Sequence, residues 1–82
     1  MTAGSIAVST AGHDKGLFHM VTAVEGGFAL IADGKRRKLE KPKRKKLKHL
    51  KHMPRFGEFT VGSNRDLRKI IAACYCGEGG RV

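Results

Sequence analysis

The 82-residue chain has room for one small domain and no second one, so a compact β-barrel or a small α+β unit is expected rather than a large enzyme. Seventeen Lys and Arg against seven Asp and Glu give a net charge of +10, and no uncharged run approaches the roughly 20 apolar residues of a membrane span. The first residues, Met1-Thr2-Ala3-Gly4-Ser5-Ile6, lack the basic-then-apolar order of a secretory signal, which makes the cytoplasm the expected location.

Residues 5–9, Ser-Ile-Ala-Val-Ser, alternate polar with apolar or small side chains, as a half-buried strand does. Ala11-Gly12-His13-Asp14-Lys15-Gly16 follows, with two glycines bracketing three polar residues, and reads as a tight loop. Residues 17–24 are rich in β-formers and predict a second strand. Glu25-Gly26-Gly27 is a turn, and residues 28–32, Phe-Ala-Leu-Ile-Ala, predict a third strand. Asp33-Gly34 is a strong hairpin signal that should fold the following basic segment back beside that strand. A fourth strand is expected over residues 36–40, ended by Pro42, with Leu39 directed inward and Arg37 near the rim.

Residues 43–46 are four consecutive cations, expected to repel one another and to order only on a polyanion. Leu47, Leu50 and Met53 recur every third residue, which favours a helical turn and leaves a short last strand as the alternative. Residues 54–62 hold Pro54, Gly57 and Gly62 and read as a loop. Ser63 can cap a helix in which Leu67, Ile70, Ile71 and Cys74 form one apolar stripe. Gly77 is the expected stop, with residues 77–82 a frayed tail. The organisation predicted is thus a β body over residues 1–62 with a basic segment at 35–55, a helix over 63–76 packed on or beside it, and the tail.

The charge is concentrated. Residues 34–55 hold twelve Lys or Arg and one acid, Glu40, for a net +11; the remainder of the chain nets −1. A near-neutral body carrying one basic segment points to a polyanion, because neutralised phosphates release condensed counterions. DNA and anionic lipid fit less well than RNA, lipid because Leu39 is the single large apolar side chain interleaved in the run before Leu47. Phe18 and Phe28 are expected inside, which leaves little aromatic surface for base stacking and favours backbone recognition of structured RNA.

No catalytic constellation is evident. Asp14, Glu25, Glu58 and Asp66 are scattered singly, and Ser9 and Ser63 lack a partner base in any motif. His49 and His52 are three apart, but Cys74-Tyr75-Cys76 lacks the two-residue gap of a zinc knuckle, so no metal site is expected. The two cysteines read as free thiols, Cys74 in the helix core and Cys76 incidental; His19 reads as a surface position on its strand. No motif points to a cofactor, a small-molecule substrate or a membrane.

The strand, the Gly12–Gly16 loop and the strand from Leu17 together resemble a KOW motif, the strand–loop–strand element of several ribosomal proteins and transcription-elongation factors, with Gly16 as the signature glycine. Asp33-Gly34-Lys35-Arg36-Arg37-Lys38, followed by Lys41-Pro42-Lys43-Arg44-Lys45-Lys46 and His49-Leu50, narrows the likeness to small bacterial KOW-domain RNA-binding proteins, themselves similar to a large-subunit ribosomal protein of archaea and eukaryotes. The resemblance covers about residues 4–53. It implies a mainly β fold, a small SH3-like β-barrel, here followed by a C-terminal α-helix. It also implies RNA contact, ribosomal RNA first and with ribosomal proteins as further partners, through Gly12, His13, Asp14, Lys15 and Gly16 of the loop. The basic residues Lys35, Arg36, Arg37, Lys38, Lys41, Lys43, Arg44, Lys45, Lys46 and Lys48, together with His49, complete the expected contact set. The alternative is a protein-interaction adaptor that uses the barrel and the helix.

Overall fold

The structure, a computed structural model, describes residues 1–79. Five strands, β1 (Ile6–Ser9), β2 (Phe18–Glu25), β3 (Phe28–Ala32), β4 (Lys43–Lys46) and β5 (Leu50–His52), form one antiparallel sheet in the order β4-β3-β2-β1-β5. A helix, α1 (Asn64–Gly79), follows. The edge strands β4 and β5 are joined only by a 3₁₀ turn, Leu47–His49. In a flat sheet they would lie about 19 Å apart, four strand spacings, whereas such a turn rises about 6 Å, so the sheet must roll into a barrel-like shape.

Rolling explains the burial pattern. The first half of β2 is buried on both faces. Ile6, Phe18, Met20 and Ala32 face α1 and join Leu67, Ile71 and Cys74 in one core cluster. Ala7, Val21, Ala29, Ile31 and Leu50 fill the concave side. Ser63 Oγ accepts the Asp66 amide at 3.2 Å, capping the helix as its sequence predicts. The predicted stop at Gly77 fails: the helix continues through Gly79, and residues 80–82 of the expected tail lie outside the described residues.

The predicted first three strands stand with shifts of a single residue, but the fourth is misplaced. Residues 36–40 form no strand. Amides here have other acceptors: Asp33 Oδ1 takes those of Arg37 and of the preceding Lys35, both at 2.9 Å, and Asn64 Oδ1 takes that of Leu39 at 2.7 Å. Asp33-Gly34 therefore opens a ten-residue connection rather than a tight hairpin, and Leu39 only half-buries itself against the core. The strand that does return beside β3 is Lys43–Lys46, the run expected to lack fixed structure. Pro42 precedes this strand instead of ending one, a position where its missing donor costs nothing. Residues 47–53, read as either a helical turn or a short strand, hold one of each.

His19 is also misread as a surface residue; it is 1% exposed. It pairs across from Ala7, on the concave face with Val21. Phe28, expected inside, is only half-buried.

Leu67 is fully buried where α1 meets the sheet, whereas Ile70 on the same helix is half-buried. Leu67→Ala is expected to cost about 2–5 kcal/mol of stability, with Ile70→Ala well below it, as read from urea unfolding midpoints.

Candidate nucleic-acid interface

Strand β4 carries four cations in succession, and alternation sends them to two faces. Lys43 and Lys45 pair across from Ile31 and Ala29, whose side chains fill the concave core. Arg44 and Lys46 pair across from Leu30 and Phe28 on the outer face.

Burying a lysine requires a partner, and the loop between β1 and β2 supplies it. Lys45 is 8% exposed and Asp14 is 7% exposed. Lys45 Nζ donates to Asp14 Oδ1 at 2.8 Å and to the Ala11 carbonyl at 2.6 Å. Lys43 Nζ adds a weaker contact to Asp14 Oδ2 at 3.4 Å. Burial alone would raise the Asp14 carboxyl, but the Lys45 hydrogen bond, a backbone bond and the charges of Lys45 and Lys43 outweigh it and hold the group at about 2. His19 lies within the influence of this cluster; burial dominates and lowers its pKa, which favours the neutral ring.

Asp14 and Lys45, both predicted to touch RNA, are therefore occupied with each other. Gly12, His13, Lys15 and Gly16 remain exposed on the same loop. Gly12 and Gly16 have φ of 84° and 85°, which favours glycine, and a Cβ at Gly12 would sit 3.2 Å from Lys45 Nζ. The Gly16 amide donates to the Ser9 carbonyl at 2.8 Å and the Lys15 amide to that of Gly12 at 3.2 Å. Those two amides serve the loop itself and are not open to a phosphate.

The connection of residues 33–42 is fixed on its other side by the start of α1. Arg68 Nη1 donates to the Gly34 carbonyl at 3.0 Å, and Asn64 Nδ2 donates to Glu40 Oε1 at 2.7 Å. Gly34 has φ of 81°, and a Cβ there would lie 2.5 Å from the Asn64 carbonyl oxygen, so only glycine permits this approach. The hydrogen bond from Asn64 also lowers the Glu40 pKa.

Among the described residues, Lys35, Arg36, Arg37, Lys38, Lys41, Arg44, Lys46, Lys48 and Lys51 are exposed and form no ion pair. His49 is half-buried in the 3₁₀ turn, its carbonyl accepting the Thr10 amide at 2.8 Å, so its predicted RNA role would fall to a partly covered side chain. The structure thus brings together the 12–16 loop, β4 and the turn after it, and places the 35–41 connection against the helix. Cys74 is buried in the helix core, which raises its thiol pKa, and Cys76 is exposed; both are free thiols. No group of three or more His, Cys, Asp or Glu among the described residues is arranged to hold a metal ion. Likewise, no helix among them is long and apolar enough to cross a membrane.

Compared with known proteins, the chain matches no family model and no curated protein sequence at a significant level.

The Asp14 carboxyl titrates near 2 in the folded chain against an ordinary value of about 3.9. A folded value below the unfolded one means stability that is complete above about pH 4 and is lost as pH falls through about 2. Asp14→Asn leaves Lys45 buried without its counter-charge and is expected to cost about 3–5 kcal/mol at neutral pH. The gap between wild type and variant, measured by urea unfolding, should narrow as pH is lowered from about 5 toward 2. A gap that does not change with pH would show that the pair contributes nothing through its charge.

Proposed function

We propose that the chain is a small RNA-binding module of the KOW type, with an SH3-like barrel, that grips the phosphate backbone of structured RNA in the cytoplasm, ribosomal RNA first. One observation carries the reading. Nine exposed cations without ion partners among the described residues lie on elements that are already held in place: the 35–41 connection, β4, the 3₁₀ turn and β5. A surface charge left unpaired on an ordered frame suits a polyanion, because little ordering has to accompany binding.

Within this reading Lys43 and Lys45 are structural, and Asp14 is their counter-ion. Lys15 reaches phosphate from the loop as a point charge, while Arg36, Arg37 and Arg44 offer planar forks to phosphate oxygens. The adaptor alternative is weakened, since Leu67, Ile71 and Cys74 bury the helix stripe against the chain's own sheet.

The test is a titration against a structured ribosomal-RNA hairpin at several salt concentrations. With six or more phosphates neutralised, log K should fall against log salt with a slope of about −5 or steeper, and a flat response would overturn the proposal. Lys15→Ala should reduce the slope by about one, whereas Lys69→Ala, on the helix beside Phe56 and Phe59, should leave it unchanged. Equal effects of the two would remove the loop from the interface.

A further inference from the structure

Phe28 opens β3 and is only half-buried, on the outward face of the strand and outside the core cluster that α1 covers. Its direct partner on β4 is Lys46, and Arg44, the partner of Leu30, lies diagonally from it on the same outward face. The Arg44 guanidinium carbon lies 4.0 Å from the centroid of the Phe28 ring. At that separation the guanidinium is in contact with the ring face, held by the attraction of a cation for the aromatic quadrupole.

This arrangement does three things to Arg44. One side of the guanidinium is covered by the ring, which restricts its rotamers. The side chain as a whole stays exposed, and it forms no ion pair among the described residues. The preceding turn, Gly26-Gly27, carries no side chains that could stand over the pair. The nearest acid on this face is Glu25, the cross-strand partner of Phe28, and it makes no ion pair with Arg44. Lys46 flanks the pair with a second exposed cation.

A fixed, flat, cationic plane beside a phosphate-binding surface has one natural ligand. We propose that the Phe28–Arg44 pair is a stacking platform for a single unstacked nucleobase, such as a bulged or loop nucleotide, while neighbouring cations hold its phosphates. The proposal rests on the RNA-binding reading and sharpens it: the preferred RNA carries an unpaired base beside a stem. Bases freed from a helix stack on aromatic rings and on guanidinium planes alike. Lysine keeps the charge of arginine but has no plane to stack on, which separates this role from a phosphate contact.

The experiment compares two RNA hairpins, one with an uninterrupted stem and one with a single bulged adenosine, for wild type, Arg44→Lys and Phe28→Leu. Wild type should prefer the bulged hairpin by roughly tenfold, in line with the strength of one base stack. Arg44→Lys should abolish that preference, its affinity for the bulged hairpin falling roughly tenfold further than its affinity for the uninterrupted stem, since the charge is retained and the stacking plane is lost. Phe28→Leu should act in the same direction, with circular dichroism checking that the sheet is intact. Equal binding of both hairpins by wild type, or an equal loss on both in Arg44→Lys, would overturn the platform while leaving phosphate binding standing. Absence of binding to either hairpin would overturn the RNA-binding reading along with it.

Discussion

The buried contact between Lys45 and Asp14 is the constraint around which this small structure is arranged. Lys45 lies on β4 and Asp14 in the loop joining β1 to β2, and in the sheet order β3 and β2 stand between β4 and β1. A bond across that interval on the concave face requires the sheet to curl. The lysine stem runs beside Ala29, whose small side chain leaves space for it, and the ammonium ends between a carboxylate and a backbone carbonyl. Desolvating two ions is costly, so the pair is tolerable only because its hydrogen bonds are short and Lys43 contributes a second charge. What the pair supplies is register: it fixes β4 against the loop and places the outward cations of β4 on the convex side.

A second set of contacts does the same for the connection of residues 33–42. Asp33 closes its first turn, Gly34 admits the helix backbone, and Asn64 and Arg68 hold Glu40, Leu39 and the Gly34 carbonyl. These are polar contacts made by Asn64 and Arg68 near the start of α1, while Leu67, Ile71 and Cys74 of the same helix are buried. One helix therefore closes the core and positions the basic connection. The charges were expected to be fixed on residues 36–40 and loose on 43–46. The structure gives β4 to the second group, and orders the first as a loop.

Local pattern was enough for much of the fold. Alternation and turn residues located β1, β2 and β3, and a four-residue apolar stripe with a serine cap located α1, because each signal lies within a few residues. The failures share a cause. Nothing local marks Lys43–Lys46 as a strand, since four like charges have neither apolar alternation nor β-propensity. The strand exists because β3 offers a ladder and a single distant acid absorbs the inward charges. The only trace in the sequence is that Asp14, between two glycines, is a lone acid in a loop otherwise suited to a polyanion. His19 was misplaced because alternation assigns one face to solvent, whereas rolling and the helix bury both. Phe28 was misplaced for the converse reason: it and Leu30 point outward from β3, where neither joins the core cluster that α1 covers, and both stay half-buried.

The division of β4 into inward and outward cations changes how the basic run should be understood. Counted along the chain, the run looks like a uniform reservoir of charge, with each residue equivalent for a polyanion. Folded, it is stratified. Lys43 and Lys45 are committed to Asp14, and their neutralisation is what permits a strand of such composition to pack at all. Arg44 and Lys46 are placed by that same strand on the face where β3 presents Phe28. The architectural pair and the exposed pair are thus interleaved residue by residue, so a one-residue slip of β4 would bury an arginine and expose the lysines that hold the loop. The Asp14 contact penalises such a slip, which makes the ion pair a device for specifying the outer surface as much as for stabilising the inner one.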